Sequence, residues 1–365
     1  MSAERTVLVT GAGGFIGGSI VEALHLGSAY RVRAGIHSWQ SAARIGRFPV
    51  EMVPCDILAP DSIASALEGV RYVVHCAYGD RRATVEGTER MLAGALAAGV
   101  DRFVHMSTVE VYGDADGEVD ESRPYKYTGR PYGDSKIDAE KVCWAYTQRG
   151  LPLTVLRPTI VYGPFSKLWS VRVAERLQSK RFAGVQAHAQ GRCNLLYIDD
   201  LVAMIENVLQ NDDGVGEALN VNGSDRPTWN EYFDAFAAVV GRGPLKGSQA
   251  RTFALGAKAM EPARAVAKLI LARYQGPVMK IYARSALAKT AIRRAEKMIK
   301  TTPTVAELAL YGRDTVYAID KATSRLGYRP RYDMRRGLDL TARWLEHEGL
   351  IAERGQAPTA EVASS

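Results

Sequence analysis

The chain has 365 residues, 47% of them apolar and 24% charged, with a formal net charge of +7. That balance suits a soluble globular protein with a sizeable core, and the absence of an apolar run of spanning length excludes a membrane helix. The positive charge is local: residues 251–300 hold twelve Lys or Arg against two Glu, so against the overall +7 the other residues sum to about −3, which argues against a general nucleic-acid binder.

In chain order, "RTVLVTGAGGFIGGSIVEALHLG" predicts an apolar strand, a glycine turn and a helix. "VLVT" begins a few residues from Met1, so no secretory signal is expected ahead of it, and a cytoplasmic location is the expectation. "YRVRAGI" and "VEMVPCDI" read as the second and third strands, and "DSIASALEG" as a helix. "RYVVHCAY" is the fourth strand, "TVEGTERMLAGALAAG" a helix and "DRFVHMST" the fifth strand. "SKIDAEKVCWAYTQRG" is the next helix, and "LPLTVLRPTIVYGP" the sixth strand with its exit loop. Short Val-rich runs separated by helical patterns predict a parallel sheet covered on both faces.

Past residue 164 the alternation fades into "VRVAERLQS", "CNLLYIDD", "LVAMIENVLQ" and the strand "EALNVN". The expected organisation is a nucleotide-binding domain over 1–163 and a substrate lobe over 164–353. Within that lobe a strand near 217–222 returns to the first sheet, and a basic helical insert occupies 251–300. A disordered tail over 354–365 closes the chain. Cys55, Cys76, Cys143 and Cys193 lie far apart without paired spacing, so they read as free buried thiols in a reducing compartment, with no zinc site or disulfide framework.

"TGAGGFIGG" spaces Gly11, Gly14 and Gly17 by threes directly after the first strand. Gly11 permits the tight turn, Gly14 lets backbone amides approach a pyrophosphate, and Gly17 lets helix and strand pack closely. The phosphates would sit at the positive end of the helix dipole. Phe15 and Ile16 of the same turn, and Cys76 and Ala77 after the fourth strand, belong to this cofactor set. Asp56 and Ile57 are placed to edge and cover an adenine. After the second strand no Asp or Glu occurs before Glu51, while Arg33, His37, Arg44 and Arg47 are available. A cation there accepts a 2′-phosphate, so NADP is favoured over NAD, and His37 joins the set. Arg44 and Arg47 read equally well as solvated helix residues.

"RPYGDSK" places Tyr132 four residues before Lys136, one helical turn apart. Hydride transfer at a secondary alcohol needs a group that takes the hydroxyl proton, and tyrosine, with a pKa of about 10, is a poor base in water. Lys136 is placed to lower it, helped by the cationic ring of the oxidised cofactor. "MSTVEVYG" offers Thr108 as the hydroxyl donor that fixes the substrate oxygen, with Ser107 beside it. Arg157, at the end of the sixth strand, reads as structural.

Taken together, "TGAGGFIG", "CDI", "VVHCA", "MSTVEVYG", "YGDSK", "LRPTIVYGP", "YIDDL" and "LGYRP" resemble, in order, the extended short-chain dehydrogenase/reductases, the NAD-dependent epimerase/dehydratase family. The resemblance spans nearly the whole chain. It implies a Rossmann-type doubly wound parallel sheet with a smaller, mostly helical C-terminal substrate lobe. It also implies Thr108, Tyr132 and Lys136 as the catalytic set, with Lys136 on the nicotinamide ribose, and a homodimer through the helix bearing Tyr132. Where sugar-nucleotide dehydratases of the family carry Asp-Glu after the catalytic Thr, this chain has Val109-Glu110, and a valine donates no proton. Where epimerases carry Asn it has Ile160, and Cys193 aligns with their pyrophosphate-clamping Arg, with Arg192 adjacent. These departures favour an NAD(P)-dependent dehydrogenase or reductase of a sterol-like or lipid-like substrate, in the manner of 3β-hydroxysteroid dehydrogenases. The alternative is a sugar epimerase with tightly bound NAD.

In the basic insert, Val278, Ile281, Tyr282, Ala288, Ile292, Ala295 and Ile299 recur at helical spacing, with Lys280, Arg284, Lys289, Arg293 and Lys297 on other faces. Two readings stand: a basic amphipathic helix over 278–300 lying on an anionic membrane, or a helix packed by its apolar stripe with a solvated basic face.

Overall fold

The structure, a computed structural model, describes residues 5–243, 245, 250–262, 264, 290, 298–299 and 301–352. The amphipathic stretch 278–300 and the tail 354–365 therefore lie almost wholly, and wholly, outside the described residues. Two compact units divide the chain: Met1–Tyr162 with Asn194–Asp225 and Thr315–Asp333, and Gly163–Cys193 with Arg226–Asp314 and Met334–Ser365.

A seven-stranded parallel sheet organises the first unit. Its strands are β1 (Thr6–Thr10), β2 (Arg31–Ile36), β3 (Glu51–Pro54), β4 (Tyr72–His75), β5 (Arg102–Met106), β7 (Leu153–Pro158) and β10 (Ala218–Val221). The order is β3-β2-β1-β4-β5-β7-β10, so the winding reverses between β1 and β4 and opens a crevice at their C-terminal ends. The strand expected near 217–222 is β10, paired in parallel with β7. Four short strands pair outside that sheet, β6 (Gly117–Val119) with β11 (Thr315–Tyr317) and β8 (Ile160–Tyr162) with β9 (Leu195–Tyr197), and of these only β9, within "CNLLYIDD", is legible as a strand in the sequence.

The connecting helices are α1 (Phe15–Gly27), α2 (Pro60–Leu67), α3 (Arg81–Ala98), α4 (Pro131–Gln148) and α6 (Ile198–Gln210). Leu8, Val73, Phe103 and Leu153 of the strands pack with Ile63, Leu67, Met91, Leu92 and Cys143 of α2, α3 and α4 in one buried cluster. A strand buried on both faces has no polar alternation, which is why these runs read as continuous Val and Leu.

The second unit contains α5 (Arg172–Gln178), α7 (Trp229–Val239) and α8 (Ala250–Ala259). Its core is aromatic: Trp229 lies 4.5 Å from Tyr311 and 5.5 Å from Phe233 between ring centroids. Thr228 with Glu231, and Thr304 with Glu307, form reciprocal capping boxes at two of its helices. Among the described residues no helix is long and apolar enough to cross a membrane.

Two histidines interrupt the apolar strands. His75 of β4 and His105 of β5 are register partners, buried, with ring centroids 5.7 Å apart. His75 is held by Thr10 Oγ1 at 2.8 Å and Thr88 Oγ1 at 3.2 Å. Neither ring nitrogen of His105 has a hydrogen-bond partner. Burial, and then the charge of Lys136, hold His75 down at about 3 and His105 well below its ordinary value. Both stay neutral in the fold while the unfolded chain takes up protons below about pH 6.5. Stability is therefore expected to fall with pH below that point, by up to about 1.4 kcal/mol per pH unit for each ring. Urea titrations between pH 7 and 5.5 measure it, and His105→Leu should flatten the slope. A slope unchanged in that variant would contradict the buried neutral ring.

Candidate active site

The glycine turn begins where β1 ends. Gly11 has φ +65°, and a Cβ there would lie 2.8 Å from the Ala77 amide nitrogen and 2.9 Å from the Cys76 carbonyl carbon. A Cβ on Gly17 would lie 2.3 Å from the Gly11 carbonyl oxygen, so α1 and β1 meet at a distance only glycine allows. Gly14 is the N-cap of α1 and offers no side-chain cap, and the first amides of a helix have no partner within it. Phe15 and Ile16, partly exposed, occupy that first turn. This is a cradle of backbone donors at a positive helix end, and it fits a pyrophosphate. Thr10 Oγ1 accepts from the Ala77 amide at 3.3 Å and fixes the neighbouring β4 loop.

The cations near the second strand are mostly committed. Arg33 pairs with Glu51 at 3.0 Å and donates to the Ala66 carbonyl at 3.0 Å. Arg47 pairs with Glu22 at 3.0 Å. Arg44 is not a solvated helix residue: it donates to the Phe15 carbonyl at 2.7 Å and to Ser19 Oγ at 2.8 Å, locking its turn onto α1. His37 is left exposed just past β2. Asp56 Oδ1 accepts from the Leu58 amide at 2.9 Å, and buried Ile57 packs where Gly87 leaves room for it. The Cys76 thiol, beside Gly11, is pushed up to about 12 by burial.

Pro131 opens α4, and Tyr132, Lys136 and Glu140 then follow one turn apart on one face. Lys136 is 4% exposed. Its Nζ donates to the Met106 carbonyl at 2.6 Å, tying α4 to the end of β5, and burial brings its pKa down to about 8. Thr108, just past β5, accepts from the Glu110 amide at 3.3 Å, and its hydroxyl acts to lower the pKa of Tyr132. Tyr132 is 42% exposed as a residue.

One expectation needs correcting here. Burial, then the charges of Glu110 and Tyr78, raise the Tyr132 pKa, Thr108 opposes them, and Lys136 is not among the groups that move it. The ammonium is drawn inward to the Met106 carbonyl instead. Tyr78 was not anticipated. Its ring stands edge-to-face with Tyr132 at 6.0 Å and lies 6.0 Å from Lys136 Nζ.

Behind this set lies a buried polar network that sequence reasoning touched only through Ser107 and Arg157. The Ser107 hydroxyl donates to Glu140 Oε1, and Arg157 pairs with Glu140 Oε2 at 2.6 Å. Arg157 also donates to the Tyr112 hydroxyl at 2.8 Å, which donates to Asn220 Oδ1 at 2.7 Å. Tyr125 donates to Glu140 Oε2 at 2.8 Å. The spacing of Glu140, four residues after Lys136, was the only local signal.

Every candidate cofactor and catalytic residue thus falls in the first unit, at or near the C-terminal edge of its sheet. The sequence signature of the NAD dependent epimerase/dehydratase family matches residues 7–222. The chain belongs to that family. Its members are NAD-dependent enzymes. Over 269 residues the chain is 29% identical to an uncharacterised UDP-glucose epimerase of Bacillus subtilis, covering 65% of this chain and 82% of that one. Over 236 residues it is 31% identical to sterol demethylase protein B of Methylococcus capsulatus, covering 60% and 70%. The dTDP-glucose 4,6-dehydratase of Bacillus anthracis, solved with NAD, shares the fold with a TM-score of 0.71 at 20% identity, over 95% of this chain and 98% of that one.

Within this family member, Glu140→Gln would leave the Arg157 guanidinium buried without its counter-charge, at a cost of about 3–5 kcal/mol. Replacing both residues with Met should recover much of the loss. Chemical denaturation measures both, and a single-variant loss under about 1 kcal/mol would contradict the network.

Proposed function

We propose that the chain is an NAD(P)-dependent oxidoreductase acting at a secondary alcohol or ketone of a relatively apolar substrate, with Thr108, Tyr132 and Lys136 as its catalytic set and NADP as its cofactor. The observation that carries this is Tyr132 one helical turn from the buried Lys136 ammonium, whose bond to the Met106 carbonyl holds α4 beside the segment of Thr108, at the same sheet edge as the glycine turn. The bound nicotinamide supplies the hydride chemistry. The chain's part is to hold the substrate oxygen and move its proton.

Thr108 and Tyr132 bind that oxygen from two hydroxyls. A phenol raised above its ordinary value holds its proton at neutral pH, which suits donation to an alkoxide forming during reduction. In the oxidising direction the cationic ring of the cofactor works against that rise. Lys136, at about 8, remains largely charged at neutral pH, and the family resemblance implies the nicotinamide ribose as its partner.

Three features support the substrate class. Val109 gives no proton donor for elimination. Cys193 is a buried neutral thiol, which cannot compensate a diphosphate. The 31% identical sterol demethylase protein lends the apolar direction. For NADP, the support is the absence of a free acid after β2, since Glu51 is tied to Arg33, and the exposed His37.

The second reading is a sugar epimerase that retains NAD. It draws on the Bacillus subtilis relative, of which this chain covers 82%. Cofactor behaviour separates the two. Freshly purified protein is expected to carry little nucleotide and to oxidise NADPH stoichiometrically with an apolar ketone. Close to one equivalent of retained NAD, with no net consumption, would overturn the first reading in favour of the second.

A further inference from the structure

Among the described residues four Trp or Tyr side chains stand exposed: Trp39, Tyr78, Tyr127 and Tyr132. Exposed rings scattered singly are ordinary, but Tyr78 and Tyr132 stand ring to ring, edge-to-face with centroids 6.0 Å apart and planes at 70°. Tyr78 is 66% exposed, and Lys136 Nζ lies 6.0 Å from its centroid. Two open aromatic rings therefore meet beside the buried ammonium, at the C-terminal edge of the sheet.

The Tyr78 ring is carried on a fixed piece of backbone between β4 and α3. On one side of it the Ala77 amide donates to Thr10 Oγ1 at 3.3 Å. On the other, the Gly79 amide donates to Thr84 Oγ1 and the Gly79 carbonyl accepts from it, each at 3.3 Å. Asp80 then caps α3 by accepting from the Ala83 amide at 2.8 Å. A Cβ on Gly11 would strike Ala77, so the same loop is held against the glycine turn. A side chain this open adds little to the core, and the proton transfer derived above makes no use of it. What remains for it is contact with whatever enters the crevice.

We propose that Tyr78 determines substrate specificity: its ring and that of Tyr132 form an aromatic wall on which a planar ring of the substrate packs, next to the carbon whose oxygen Tyr132 holds. This rests on the reading of Tyr132 as the group that holds the substrate oxygen, and it narrows the apolar substrate to one with a ring system at the reacting carbon. The physical reason is area and geometry. A ring packed against another buries a broad apolar surface and gains from the complementary charges of edge and face, whereas a short open chain covers little of it. The Tyr78 hydroxyl is not needed for this contact, but the ring is.

The test uses α-tetralol, a bicyclic secondary alcohol, and its ketone α-tetralone. Calorimetric titration of the NADPH-saturated protein with α-tetralol reads binding alone, because an alcohol facing the reduced cofactor cannot react. Saturable binding is expected, about ten-fold weaker in Tyr78→Ala and within about two-fold of the native protein in Tyr78→Phe, with NADPH affinity and unfolding temperature unmoved in both. No saturable binding, equal affinity in Tyr78→Ala, or a loss of NADPH affinity in its place would overturn the wall. Reduction of α-tetralone by NADPH reports separately on the hydride reading. Binding that depends on Tyr78 without turnover would uphold the wall and sink that reading, and turnover with binding indifferent to Tyr78→Ala would do the reverse.

Discussion

A lysine ammonium sealed in the interior is the constraint from which the rest of the candidate site follows. Lys136 reaches from α4 to the Met106 carbonyl at the end of β5, at 2.6 Å. Burial makes that charge expensive, which is why its pKa sits near 8, and the carbonyl supplies part of the compensation. The bond fixes the first turn of α4 beside the segment that carries Ser107 and Thr108. Tyr132, one turn back along the helix, is thereby held beside the same segment.

The arrangement is reinforced from behind. Glu140, one turn further along α4, takes the Ser107 hydroxyl and the Arg157 guanidinium together, so α4, β5 and β7 share one fully buried carboxylate. Ion pairs of this kind contribute little net stability relative to apolar packing, but breaking one is costly, which makes them effective at specifying a single register. The network continues through Tyr112 to Asn220 on β10, four strands from the glycine turn. The same sheet carries the glycine turn at β1, so that turn and Tyr132 are held by one frame.

Much of this was readable without coordinates, because it is written in local patterns. Val-rich runs separated by helical periods predict the parallel sheet, and the spacing of Gly11, Gly14 and Gly17 predicts the close contact of α1 with β1. Tyr132 and Lys136 share a helix face by arithmetic alone. What was not readable depends on long-range placement. Thr315–Tyr317 pairs with Gly117–Val119 across about two hundred residues, and three-residue strands carry too little pattern to announce themselves. The cations after β2 looked free in sequence, but Glu22 and Glu51, on neighbouring elements, neutralise Arg47 and Arg33. The direction of the Tyr132 shift was also hidden. Helical spacing puts Lys136 near the phenol but does not say which way the ammonium turns, and its bond to the Met106 carbonyl decides it.

Hydride turnover and cofactor affinity in Tyr132→Phe, measured beside the native protein, bear most directly on the proton-transfer role. Loss of a positioned proton donor should lower turnover by about 10²–10⁴-fold while the dissociation constant for NADPH stays within about two-fold. Turnover retained in the phenylalanine variant would contradict the account.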